Sequence, residues 1–171
     1  EAEVGEALET TAHLFLDHIV DADRGALRLF FDRDWTALTD RISPGHDIEG
    51  SWLLFEAGEA RTAALLANVE KAALKLARTV MNRWQDEDGG LFSEAGPGGV
   101  LDDRKDWWPQ AEAVVGFINA YQRTGEEAFL EAASRCWRFI VDTMKDHEHG
   151  EWFWRVSRDG SVGYSRARTN P

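Results

Sequence analysis

Amphipathic segments joined alternately by short and by long polar connections constrain this chain most. From Val4 to Val20, Leu8, Ala12, Phe15, Leu16 and Ile19 recur at helical spacing, and the pattern stops in the polar stretch Asp21 to Gly25. A second helix is expected from about His46, through Trp52, Leu53 and Phe55, to Glu56–Gly58. A third runs from Arg61 to Trp84, with Leu65, Leu66, Val69, Leu74, Leu76 and Val80 set among Lys and Arg. Pro109 fits the first turn of a fourth, where its missing N–H costs nothing, and that helix ends at Thr124-Gly125. Glu126 and Glu127 open a fifth at the positive end of its dipole, ahead of Phe129, Leu130, Ala133, Trp137, Ile140 and Val141.

The connections complete the pattern. Leu27 to Phe31 alternates briefly, as a short strand or extended loop would, and Asp32 to Gly45 is rich in turn formers. Asp86 to Gly99 reads as a glycine-rich loop around a possible small strand at Leu91-Phe92. Glu151 to Val162 alternates about Asp159-Gly160, a hairpin signature. The order is helix, long loop, helix pair, long loop, helix pair, hairpin. It predicts an all-α single domain over residues 1–171, part of a toroid of helical hairpins with its long loops gathered at one end. Five helices are an odd number for a closed ring, and no tight repeat is visible.

Composition narrows the partners. Thirty-one acids against 19 bases give a net charge of −12 with no long basic stripe, which argues against nucleic acid and against anionic membrane. No apolar run approaches the roughly 20 residues that span a bilayer, and Glu1-Ala2-Glu3 does not open like a signal peptide. The single cysteine, Cys136, rules out an internal disulfide, fits a reducing, cytoplasmic compartment, and sits in a helical pattern as a core filler would. Eight tryptophans against two tyrosines, several beside polar clusters, point to an aromatic-lined site for a neutral polar ligand.

Three clusters can carry chemistry. His46 and Glu49, spaced i, i+3, share a helix face, while Asp47 points elsewhere and can cap the helix. A helix N-terminus favours the neutral imidazole that can accept a proton, although His46 could equally cap or pack. Trp108 and Glu112, spaced i, i+4, share another face, with Trp107 turned aside. There Glu112 can bond the hydroxyls of a sugar ring stacked on the indole, or pair structurally with Arg or Lys. His147, His149, Glu151, Trp152 and Trp154 form the third cluster; its histidines fit a solvated turn, and no third ligand converges on them, so no metal is expected.

Gly45-His46-Asp47-Ile48-Glu49, followed by Ser51-Trp52-Leu53-Leu54, resembles a motif of the N-acylglucosamine 2-epimerase superfamily, especially its cellobiose 2-epimerase branch. Trp107-Trp108-Pro109-Gln110-Ala111-Glu112-Ala113, continuing to Asn119-Ala120-Tyr121, and Gly150-Glu151-Trp152-Phe153-Trp154 are similar to that branch's second and third signatures. The resemblance implies an (α/α)6 barrel of which this chain is the C-terminal half, with no cofactor. It implies His46 as one of two histidines that flank C2 of a reducing-end sugar and exchange its proton through a cis-enediol. Glu49 and Glu112 carry over as groups that bind hydroxyls and assist ring opening, Trp108 as a stacking platform, and Trp107 and Trp52 as further substrate-binding residues.

The sequence also departs from the family pattern. The Trp-Lys-x-Pro-Tyr-His stretch that precedes the second histidine is not in the sequence, and neither His147 nor His149 matches that residue. Three readings therefore stay open: a sugar 2-epimerase acting on a mono- or disaccharide, an inverting glycoside hydrolase using Glu49 and Glu112, and a non-catalytic sugar-binding half-barrel. A half-ring would expose apolar helix faces, so self-association or pairing with an N-terminal half is expected.

Overall fold

A computed structural model describes residues 2–162; Glu1 and residues 163–171 lie outside it. The five expected helices are present: α1 (Ala2–Leu14), α2 (Pro44–Glu59), α3 (Ala63–Thr79), α4 (Trp107–Thr124) and α5 (Glu127–Phe139). Short strands occupy the loops: β1 (Val20–Asp21) with β2 (Ala26–Leu27), β3 (Glu94–Gly96) with β4 (Gly99–Asp102), and β5 (Lys105–Asp106) with β6 (Arg155–Val156), each pair antiparallel. The hairpin within the glycine-rich loop is therefore β3–β4. Leu91 makes only a single bridge to Gln85, because the strand pairing in that loop is set by backbone partners outside the apolar dipeptide. The expected hairpin near the end is present, with its tip at Ser157–Ser161 and a Val156–Val162 bridge.

The helix boundaries follow local chemistry. Ser43 caps α2, its hydroxyl accepting from His46 N–H, with Pro44 first in the helix. Thr62 caps α3 through Leu65 N–H. Gly125 ends α4 in the left-handed conformation (φ 69°) that residues with a Cβ avoid.

Helices α1, α3 and α5 share an ending that the sequence reading missed. Each widens into a π-helical turn (Phe15–Ile19, Val80–Trp84 and Ile140–Met144) before the chain turns back. An aspartate follows each turn by two residues (Asp21, Asp86, Asp146) and accepts on its carbonyl from a left-handed glycine: Gly25 at 2.8 Å, Gly89 at 3.0 Å and Gly150 at 2.8 Å. The residue before each aspartate pairs with a returning apolar one: Val20 with Leu27, Gln85 with Leu91, Lys145 with Trp152. The repeat lies in this turn chemistry, an Asp followed three or four positions later by a left-handed Gly, while the helices around it differ in sequence.

Packing sorts the helices into two layers. The N-terminal ends of α2 and α4 meet at Gly45 and Trp108, and their C-terminal ends meet at the Glu59–Arg123 ion pair, so the two helices run parallel and side by side. The close approach needs glycine on both. A Cβ on Gly116 would lie 2.6 Å from Ile48, and one on Gly45 would lie 2.6 Å from Trp108. Helices α3 and α5 return antiparallel behind them. Ile48, Val80, Trp84, Leu91, Phe117, Phe129, Cys136 and Ile140 belong to one buried cluster. Leu27, Leu54, Phe55, Leu65, Val69 and Leu76 belong to a second, under α1. The loops that precede α2 and α4 consequently emerge at one end, as the alternation of connections predicts.

Candidate active site

The first turns of α2 and α4 bring the sequence motifs together. His46 is the third residue of α2, and its ring meets the edge of Trp108, the second residue of α4, with centroids 4.8 Å apart. Ser43 Oγ lies 2.7 Å from His46 Nδ1. When Nδ1 carries the proton and donates to Oγ, Nε2 keeps a free lone pair on a ring that is open to solvent. Glu49 shares the His46 face: both line a cavity of about 320 Å³ between α1 and α2, otherwise walled by Leu8, Phe15, Leu27 and Leu53.

Among the described residues, Glu112 pairs with neither Arg nor Lys. Its Oε2 accepts from Trp52 Nε1 at 2.9 Å, tying α4 to α2 one turn below His46 and Trp108. Trp107, turned aside as expected, meets Trp152 and Trp154 at centroid distances of 6.4 and 6.3 Å, and its N–H donates to Trp154 O. These three indoles, with Ala111 and Glu151, line an open cleft of about 430 Å³. Trp154, 70% exposed, presents much of its ring to solvent.

Asp47 does not cap α2. That role falls to Ser43, one turn earlier, because a cap must precede the first helical N–H groups. Asp47 is fully buried, and its Oδ1 accepts Leu27 N–H at 2.7 Å. Burial pushes its carboxyl up to about 8, against the opposing effect of the Leu27 bond. The histidines of the third cluster do not converge. His147 bonds Val141 O, and His149 bonds Asp146.

Sequence reasoning also missed the groups that fix α4. Lys105 is fully buried, with Nζ 2.9 Å from Asp86 and a second contact to Asp88. Two residues of the second aspartate turn thus hold the strand that leads into α4. Asp106, at the start of that helix, is held by Arg155 and by Ser93 Oγ at 2.9 Å. A lysine between Arg104 and Asp106, in a run of charged residues, carries no periodic signal that would mark it as interior.

Parallel inner helices backed by antiparallel outer ones, with a histidine, carboxylates and indoles at their shared end, define a segment of an α/α barrel. Comparison with known proteins agrees. The family model for N-acylglucosamine 2-epimerase (GlcNAc 2-epimerase) matches residues 4–168. A cellobiose 2-epimerase of Bacteroides fragilis is 37% identical over 163 residues, which cover 95% of this chain and 42% of that protein. The crystal structure of a sugar epimerase from a ruminal bacterium superposes with a TM-score of 0.90 at 34% identity, over 95% of this chain and 42% of that one. The cellobiose 2-epimerase of Bacillus thermoamylovorans superposes with a TM-score of 0.87 at 31% identity, covering 95% of this chain and 42% of that one. The chain belongs to the N-acylglucosamine 2-epimerase family. It spans about two fifths of the length of these relatives. Among the described residues, no helix is long and apolar enough to cross a membrane.

Proposed function

We propose that this chain is the C-terminal part of an (α/α)6 barrel that epimerises a reducing-end sugar, of the cellobiose type, at C2. The observation that carries the reading is the placement of His46 beside Trp108, with Glu49 on the same face and the Trp52–Glu112 bond behind. In this reading, Trp108 and Trp107 offer apolar faces to pyranose rings, and Glu49 and Glu112 bind hydroxyls and assist ring opening.

His46 Nε2 then removes the proton from C2 of the open-chain aldose. The C–H electron pair forms the C1–C2 double bond of a cis-enediol as the carbonyl oxygen gains a proton. Reprotonation of C2 from the opposite face inverts the centre. That step needs a second acid, which the remainder of the barrel supplies. No cofactor enters this chemistry. A non-catalytic sugar-binding module and a hydrolase using Glu49 and Glu112 are the other outcomes to distinguish.

The barrel reading also accounts for the chain's free faces. Val115, Ile118 and Leu53 are 47%, 37% and 46% exposed along the two inner helices. Such apolar stripes fit burial against neighbouring barrel helices or a second copy of the chain. Sedimentation of the isolated chain tests this point: a clean monomer that binds no apolar dye would count against it.

Cellobiose incubated in D2O with the complete barrel and followed by NMR tests the activity. Deuterium at C2 with conversion from gluco to manno configuration is expected, and His46→Ala should abolish the exchange. Release of free glucose would favour the hydrolase. Sugar binding without exchange would favour the non-catalytic module.

A further inference from the structure

The first turns of α2 and α4 are built to one plan. Ser43 and Asp106 stand at the two helix starts, and Asp47 and Gln110 each lie four residues further on. Both of these side chains are fully buried. Gln110 Oε1 accepts Leu91 N–H at 2.7 Å, and Asp47 Oδ1 accepts Leu27 N–H at 2.7 Å. Leu27 and Leu91 are themselves equivalent, each pairing with the residue before a turn aspartate. The Gln110 amide goes further, its Nε2 donating to Leu91 O at 3.0 Å and to Asp106 O at 2.9 Å. Asp47 Oδ2, by contrast, is buried with no partner among the described residues.

We infer that Asp47 is a positioning residue whose carboxyl, in its protonated form, stands in for the amide of Gln110 and clamps the Val20–Leu27 hairpin onto the turn of α2 that carries His46. An ionised carboxylate buried with one donor is costly. A protonated carboxyl offers an acceptor and a donor, as an amide does. By the equivalence of the two turns, a proton on Asp47 Oδ2 would be donated to the carbonyl of Leu27 or Ser43, as the Gln110 amide donates to those of Leu91 and Asp106.

Charged groups on the surrounding elements are engaged elsewhere. Asp21 pairs with Arg28 at 3.0 Å, and Arg24 bonds Asp40. Lys75 of α3 lies over Gly25, His46 turns to Ser43, and Glu49 faces the α1–α2 cavity. The raised pKa of Asp47, near 8 against an ordinary 3.8, agrees with the protonated form. Because the folded pKa lies above the unfolded one, the clamp contributes fully below about pH 4 and is lost as pH rises towards and through about 8.

The value of this clamp for catalysis rests on the reading of His46 as the base, but the test involves no sugar, so the two can fail separately. Carboxyl 13C NMR of the protein should show Asp47 still protonated at pH 6. Asp47→Asn should keep the His46 imidazole resonances at their parent positions and remove the loss of stability between pH 5 and pH 8. Asp47→Ala should displace those resonances and lower the urea midpoint throughout. An Asp47 carboxyl that titrates near pH 4 would overturn the inference. So would an Asn variant that moves His46 as far as the Ala variant, or, should Asp47→Ala not fold, one that moves His46 at all.

Discussion

Replacing Gly116 by alanine tests the crossing of α2 and α4, on which the meeting of His46 and Trp108 depends. The position is interior to α4, so helix propensity alone favours alanine by about 1 kcal/mol. Packing opposes it. The new Cβ would lie 2.6 Å from Ile48 Cγ1, 2.8 Å from its Cδ1 and 3.0 Å from its carbonyl oxygen. A rotamer change could relieve the two carbon contacts, but Ile48 is fully buried and its carbonyl moves only with the backbone of α2. Overpacking costs about 1–3 kcal/mol, and contacts this short put Gly116→Ala at about 2–3 kcal/mol, so a net loss of about 1–2 kcal/mol is expected. In a chain of this size that lowers Tm by roughly 2–8 °C.

Urea unfolding followed by circular dichroism, on Gly116→Ala, Ile48→Ala and the double variant, measures the effect. Ile48→Ala removes both carbon contacts, so the double variant should be about 1 kcal/mol more stable than additivity predicts. Stabilisation of about 1 kcal/mol by Gly116→Ala, with strict additivity, would mean that the helices do not approach this closely, and the argument for the site would fail.

Other perturbations separate the remaining contacts. Trp52→Phe removes the indole N–H from Glu112 and should cost about 1 kcal/mol in urea unfolding, with weaker sugar binding by the complete barrel. Lys105→Met leaves Asp86 and Asp88 without their buried cation and should cost about 3 kcal/mol, less if Arg158 compensates at Asp86. Burial alone would raise Asp86, but Lys105 and Arg158 hold it below the ordinary carboxylate value. Its stabilisation is therefore full above about pH 4 and lost on acidification, opposite in sign to that of Asp47 and checkable by unfolding at graded pH. Cys136, buried with its thiol pushed up to about 12, should resist iodoacetamide under native conditions and react only on unfolding; fast native alkylation would contradict its placement.

Much of the architecture could be read from the sequence because its causes are local. Apolar spacing set the buried face of each helix, Pro109 and Gly125 marked helix ends, and the alternation of short and long connections predicted pairs with their loops at one end. Motif order gave the family and named His46, Glu49, Trp108 and Glu112 before any coordinates.

The rest depended on which groups meet across the fold. Helical spacing placed Asp47 away from the His46 face, but only its contact with a strand twenty residues earlier showed that it clamps a hairpin instead of capping a helix. Glu112 was equally consistent with a cationic partner until Trp52 was seen to donate to it. The threefold aspartate turn escaped notice because backbone bonds to Gly25, Gly89 and Gly150 define it, and such bonds leave only a faint trace in side chains. Local propensity is written along the chain, whereas desolvation and hydrogen-bond partnership are properties of the packed molecule, and these decide which polar residues serve the site and which hold it in place.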